Sequence, residues 1–228
     1  MFRSELFSTF DLARYKLLAI KRQEGIEEFC KGEPSISVKH HLIDGKIEAY
    51  EMPLNHHSLV QGELIYIMRS WSNQLLAMSE TDIIVNANTQ AVNSTGNPHP
   101  TLVAEIGSTE SLNHMHDRVA RYFSQRTTIQ IYIAIKLFPK CRGETFVLLA
   151  LLYLRSNQNP TIPSIASSFG TANLHPSTRT YLQNTVQATI TDIPTVSLFD
   201  DVPGNPSGVP VNFHIDLWTL QNRFSAGL

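Results

Sequence analysis

Cysteine is nearly absent: Cys30 and Cys141, far apart, are the two in a chain of 228 residues. Two such residues make neither a disulfide framework nor a zinc or redox spacing, so a reducing intracellular compartment, cytoplasmic or nuclear, is expected. Long apolar runs are also missing. The longest, "FVLLALLYL", has nine residues, against the roughly 20 that a membrane-spanning helix needs. The opening "MFRSELFSTFDLARYK" lacks the apolar stretch of a secretory signal. Nor is there an excess of positive charge. At a net charge of −2 no general field draws in nucleic acid, and any such contact would come from a local patch or from metal ions. The chain has no phosphate-binding glycine loop, no Gly-x-Ser-x-Gly elbow, no zinc-ligand spacing and no dinucleotide fingerprint. Their absence weakens the enzyme classes that depend on them.

What remains is a globular composition, 42% apolar and 17% charged, in a chain long enough for one sizeable domain with or without an extension. Charge divides the chain. From Ser156 onward there are four acids (Asp192, Asp200, Asp201, Asp216) and two bases (Arg179, Arg223), whereas the first 155 residues carry 16 of each sign. "SNQNPTIPS" and "DDVPGNPSGVPVN" in the later part read as loops. The expected organisation is a domain over residues 1–155 and an Asn/Pro/Ser-rich extension over 156–228. Near its end "VNFHIDLWTLQNRF" reads as a strand entering a short helix. That segment either packs back on the domain as an edge strand or docks against a second copy in a homodimer.

Within the first part, residues 9 to 30 read as a helix with Leu12, Tyr15, Leu18, Ile26 and Phe29 on its apolar face. "SISVKHHLI" and "KIEAYEM", joined by "DGK", read as a hairpin, because Asp-Gly suits the tight turns that join twisted strands. The segment "NHHSLVQGELIYIMRSWSNQLLAM" carries a helical stripe of Leu59, Val60, Leu64, Ile67, Met68, Trp71 and Leu75. Then come strands "DIIVNA" and "TLVAEIG", a helix from about Thr109 to Gln125, and strands "IQIYIAIKLF" and "TFVLLALLYL". This order predicts an α/β or α+β domain with a mixed central sheet.

Glu105 is the anomaly in this pattern. It interrupts the apolar strand "TLVAEIG", facing the same side as Val103 and Gly107. An acid there costs several kcal/mol (roughly 2–7) unless it is paired or coordinated. Asp82 opens the preceding strand, and two carboxylates on adjacent strand ends suit a hard divalent cation such as magnesium. A metal so held can activate water and stabilise charge developing on a phosphodiester. Glu63, four residues after Leu59 and four before Ile67, falls on the apolar face of its helix. Arg118 lies beside the stripe Leu112, Met115, Val119 and Phe123, four residues before Tyr122, where a cation could orient water or meet a phosphate.

Plainer roles exist for each: Glu105 satisfied by backbone or by Arg118, Glu63 paired with a nearby base, Arg118 in an ion pair with Glu110 or Asp117. His56 and His57 begin their helix. His114 and His116, two apart on a helix, diverge rather than share a metal. Lys136 reads as a strand-end lysine.

The order of these segments resembles the PD-(D/E)XK nuclease superfamily, and within it the restriction-endonuclease-like branch known as the Uma family. The resemblance spans roughly residues 53 to 138 and rests on "HSLVQGELIYIM", "DIIVNA", "PTLVAEIGS", "HDRVARYF" and "IQIYIAI", taken in sequence. It implies a restriction-endonuclease-like mixed sheet flanked by helices and a metal-dependent nuclease that hydrolyses DNA phosphodiester bonds. On that basis Asp82 and Glu105 hold magnesium or manganese, Glu63 assists, and Arg118 steadies the phosphate or the attacking water. Gly107 stands where the family name places a lysine. Arg118 looks equivalent to a lysine supplied from the helix, but it does not give up its proton and so positions rather than acts as a base. Lys136 is the reserve lysine. These two substitutions leave open a different class of function, a non-catalytic descendant of the fold that binds nucleic acid or protein.

Overall fold

A computed structural model describes residues 38–43, 46–51, 55–79, 83–87, 96, 99–108, 110–138, 140, 145–172, 179–182, 189–199 and 208–228. The expected helix over residues 9 to 30 lies outside them. The chain divides into two compact units, Met1–Met52 and Pro53–Leu228. In the first, β1 (Val38–Ile43) and β2 (Lys46–Glu51) pair antiparallel from Ile43↔Lys46 to Val38↔Glu51. That is the hairpin register expected of a turn at Asp44-Gly45.

The second unit is α+β, built on a mixed seven-stranded sheet with the order β3-β4-β5-β6-β7-β8-β9. Its strands are β3 (Leu75–Ser79), β4 (Ile83–Ala87), β5 (Pro100–Gly107), β6 (Ile131–Leu137), β7 (Val147–Leu154), β8 (Ile165–Gly170) and β9 (Arg179–Leu182). The pairs β5·β6 and β8·β9 are parallel and the others antiparallel. Residues 131–137 of β6 and 147–153 of β7 are all buried, as strands covered on both faces must be.

One face carries Leu102, Ala104, Ile133 and Leu152 against Val60, Leu64 and Met68 of α1 (Asn55–Trp71) and Leu217, Leu220 and Phe224 of α4 (Leu217–Ala226). The other carries Val103, Tyr132, Ala134, Leu151 and Tyr153 against Met115 and Val119 of α2 (Leu112–Tyr122). A short helix α3 (Thr195–Leu198) and a two-stranded sheet of β10 (Thr189–Pro194) and β11 (Asn212–Asp216) complete the unit.

The α1 segment is shorter than its apolar stripe suggests. The helix stops at Trp71, and Leu75 belongs to β3 rather than to the helical face. A turn intervenes, in which the Gln74 N–H donates to Ser72 Oγ at 3.1 Å and the Leu75 N–H donates to Ser72 O at 3.2 Å. Serine side chains that bond their own backbone compete with helix continuation in this way. Helix α2 begins at Ser111, whose Oγ accepts the His114 N–H at 3.2 Å, a serine N-cap worth about 1 kcal/mol.

Residues 156–228 supply strands to the main sheet and a helix to its core. "SNQNPTIPS" forms the β7–β8 turn region, and the terminal segment is a strand entering a helix, capped by Asp216 Oδ1 accepting the Trp218 N–H at 2.9 Å. β11 joins β10 rather than the main sheet. Trp71 of α1 stacks on Phe213 with ring centroids 4.8 Å apart, and its Nε1 donates to His214 O at 3.1 Å. Where α4 ends, a Cβ on Gly227 would lie 2.5 Å from His56 Cα, so glycine is needed for this close approach to the start of α1.

This packing predicts that a chain ending at Ser156 shows no cooperative unfolding, since β7 loses its β8 partner and α1 loses α4. In the full chain, Phe224→Ala should lower stability by about 3–5 kcal/mol, read from the urea midpoint at unchanged m-value.

Candidate functional site

Glu105 sits near the C-terminal end of β5, 2% exposed, on the sheet face covered by α2. The parallel pairing places Glu105 opposite Ala134 and Gly107 opposite Lys136. Tyr132, Ala134 and Lys136 of β6 therefore share that face. The carboxylate has two anchors from two elements. Arg118 Nη1 donates to Oε1, and the Tyr132 hydroxyl donates to Oε2 at 2.8 Å. The other end of the guanidinium, Nη2, donates to Glu110 Oε1 at 2.5 Å. Glu110 in turn lies 4.0 Å from His114 Nε2. Tyr132 is fully buried between Tyr122 and Tyr153, at centroid distances of 4.9 and 5.6 Å. The Tyr153 hydroxyl is hydrogen-bonded to His116 Nδ1.

Electrostatics follow from one cation shared by two acids. Burial first, and then the nearby Glu110, raise the Glu105 carboxyl from its ordinary 4.5 to about 7, against the lowering by Tyr132 and Arg118. For Arg118, burial opposes the charge, but Glu105 and Glu110 together outweigh it and hold the guanidinium more firmly protonated than usual. The Tyr132 phenol is raised by burial and then by the Glu105 charge, so it remains a donor. A carboxyl raised toward neutrality by burial and a neighbouring acid is an uncommon feature that marks candidate functional groups.

Of the residues singled out from the sequence, Glu105 and Arg118 are brought together. Asp82 lies outside the described residues; its neighbour Ile83 pairs with Ala104, the residue before Glu105. Glu63 is not brought to Glu105. It lies on α1, which packs on the opposite sheet face, and its Oε2 accepts from Arg223 Nε of α4 at 2.6 Å. An acid on an apolar stripe here meets a base from a distant segment that the stripe itself does not reveal. His57 begins α1 with its Nε2 2.8 Å from Ile106 O, bracing the end of β5. Lys136 is 6% exposed and its Nζ donates to Ser108 O at 2.5 Å.

Gly107 has a local reason. A Cβ there would lie 3.1 Å from Met115 Sδ and 3.3 Å from Met115 Cε, so α2 packs where a side chain would begin. Tyr132 was not singled out from the sequence; the signal was present as a tyrosine on the Ala134 side of β6, but needed the β5·β6 register to become visible. From the sequence, Glu110 is one of two candidate partners for Arg118; the structure places it on Arg118 Nη2. Among the described residues, no three His, Cys, Asp or Glu side chains cluster as a metal site, and no helix is long and apolar enough to cross a membrane.

The order α1, β4, β5, α2, β6 is the order of segments behind the resemblance drawn from sequence. No family model matches the chain, and no curated protein matches it. Among solved structures it is similar to a candidate nuclease of the DUF820 family from Anabaena variabilis, with 16% identity over 86% of this chain and 95% of that one, at a TM-score of 0.41.

Two measurements test the electrostatics. A carboxyl whose pKa is higher folded than unfolded binds more protons in the folded state between the two values, so its contribution to stability falls as pH rises from about 4.5 to about 7. Glu105→Gln should remove that component of the stability–pH curve, leaving a flatter profile across this window. Arg118→Met, which strands two acids, should destabilise the protein by about 1–3 kcal/mol at pH 8 in urea unfolding.

Proposed function

We propose that the chain is a metal-dependent, nuclease-like protein acting on DNA phosphodiester bonds, with Glu105 and Asp82 as the carboxylates that would hold magnesium or manganese. The observation that supports this most is Glu105 itself: a carboxyl buried in an apolar strand, oriented by two donors, beside a second acid already sharing a cation. The donor set is hard oxygen, which fits magnesium. Such a metal, when bound, would supply an activated water and charge stabilisation at the phosphate.

The chain's own residues have narrower tasks. Arg118 keeps the Glu105 and Glu110 carboxylates apart and aligned, which supports an orienting role more than direct contact with phosphate. Lys136, across the ladder from Gly107, is the lysine best placed to serve the site. Glu63, paired with Arg223 on the other face, is left out. A second reading is a non-catalytic module on the same scaffold, binding nucleic acid or protein. Gly107, with α2 packed against its Cα, favours it.

The discriminating experiment is incubation of plasmid DNA with the protein in magnesium or manganese, beside calorimetric titration of the same ions. Nicking or linearisation that disappears in Glu105→Gln and in Asp82→Asn is the expected result. A folded wild type that neither cleaves DNA nor binds either ion would leave the non-catalytic reading.

A further inference from the structure

We propose that the outward face of α1 is the surface through which two copies of this chain pair, their helices crossing antiparallel at Gly62. At about 3.6 residues per turn, Leu59, Gly62 and Tyr66 fall on one arc of the helix, opposite Val60, Leu64 and Met68, which pack on the sheet. Leu59 is 40% exposed and Tyr66 70%. Singly, exposed apolar side chains are ordinary, but these two flank a glycine that the chain itself does not use. A Cβ on Gly62 would meet nothing within 4 Å among the described residues, whereas at Gly107 or Gly227 it would collide. Glycine inside a helix is less stable than alanine, because it loses more backbone freedom on folding. No close approach within this chain requires it at position 62. What the missing side chain opens is a notch between Leu59 and Tyr66, where a second helix can approach closely.

The face is complementary to itself. Leu59 lies three residues before Gly62 and Tyr66 four after it, so an antiparallel crossing sets Leu59 of each copy against Tyr66 of the other. The same crossing brings Arg69 to the end of the other helix that carries Asn55 and Ser58, exposed and uncharged, so no like charges are opposed. Arg69 is also drawn toward β3, its Nε donating to Ala77 O at 3.1 Å. The one acid on α1, Glu63, is held beside the face rather than on it: Arg223 Nε of α4 lies 2.6 Å from its Oε2, and its side chain is 10% exposed. A centre poor in charge and built on an aromatic side chain is the composition of protein interfaces. The terminal strand and helix are engaged within their own chain, β11 with β10 and α4 in the core. Pairing of copies therefore falls to another surface. Because α1 covers the sheet face opposite Glu105, this pairing leaves the α2 side of the sheet untouched.

One helix face makes an interface at the small end of the range, so association is expected at micromolar concentrations. The test is sedimentation equilibrium of the full chain from about 1 to 100 μM, for wild type, Gly62→Arg, Gly62→Ala and Val196→Arg. Val196 is 58% exposed on α3, outside the proposed face, and controls for an added surface charge. Wild type and Val196→Arg should pass from one chain to two over this range, and Gly62→Arg should stay a single chain. Gly62→Ala should weaken pairing about tenfold, since one methyl overfills the notch. The same variant should raise the urea midpoint of the single chain, since alanine fits the open space and favours the helix. These opposite signs separate a lost interface from a folding defect. A wild type that stays a single chain at the highest concentration would overturn the pairing and leave the face to a different partner. Pairing that survives Gly62→Arg, is as tight in Gly62→Ala as in wild type, or is lost equally in Val196→Arg would overturn its placement on α1.

Discussion

A carboxylate buried on the covered face of an apolar sheet has to be satisfied by the fold around it, and in this protein much of the local architecture serves that need. Glu105 is 2% exposed. Its partners come from α2 and β6, so helix, strand and the β5·β6 register must all be in place before the charge is tolerated. Leaving such a group unpaired would cost more than a typical net hydrogen bond contributes. That asymmetry fixes the position of α2 more firmly than its short apolar stripe of Met115 and Val119 would alone. Gly107 belongs to the same constraint. A Cβ there would lie 3.1 Å from Met115 Sδ, so a side chain at this position of β5 requires the Met115 side chain to shift.

Arg118 is shared between two acids, pairing with Glu105 through one nitrogen and with Glu110 through the other. A single guanidinium can offset one negative charge fully, and Glu105, being the more buried, is the acid left under-compensated. Burial and Glu110 both push its carboxyl toward the protonated form, against Arg118 and Tyr132. A proton near neutral pH and a cation with spare charge answer the same deficit. The proposed metal chemistry and the raised carboxyl pKa are therefore two expressions of one imbalance.

The parts legible in the sequence were those set by local chemistry. The antiparallel pairing of β1 with β2 and the strand-to-helix step at Asp216 are both set within a few positions of sequence. The buried runs of β6 and β7 were visible as near-continuous apolar segments. Long-range partners were less accessible. Arg223 meets Glu63 across 160 positions of sequence, and Tyr132 meets Glu105 through a register that neither strand encodes by itself. The polar segment after Ser156, read from sequence as an extension that packs back on the domain or docks against a second copy, contributes Phe169, Ile190, Phe213 and Phe224 to the same core as α1. Sparse apolar residues in a loop-rich stretch suffice when each one is placed at a packing position.

Under the proposed nuclease reading, the choice between an active enzyme and a non-catalytic scaffold turns on where a lysine can stand. On β5 it cannot stand at position 107 without moving Met115. On α2 the equivalent place holds Arg118, committed to two carboxylates. On β6, Lys136 is the cross-strand partner of Gly107 and lies on the Glu105 face, its ammonium held at the end of β5 by Ser108 O. The pleat puts it one residue pair beyond the carboxylate on the same face of the sheet. A function lost from one strand can thus be carried by the adjacent one without altering the sheet. The crowding at Gly107 that favours a silent scaffold therefore does not by itself exclude an active one.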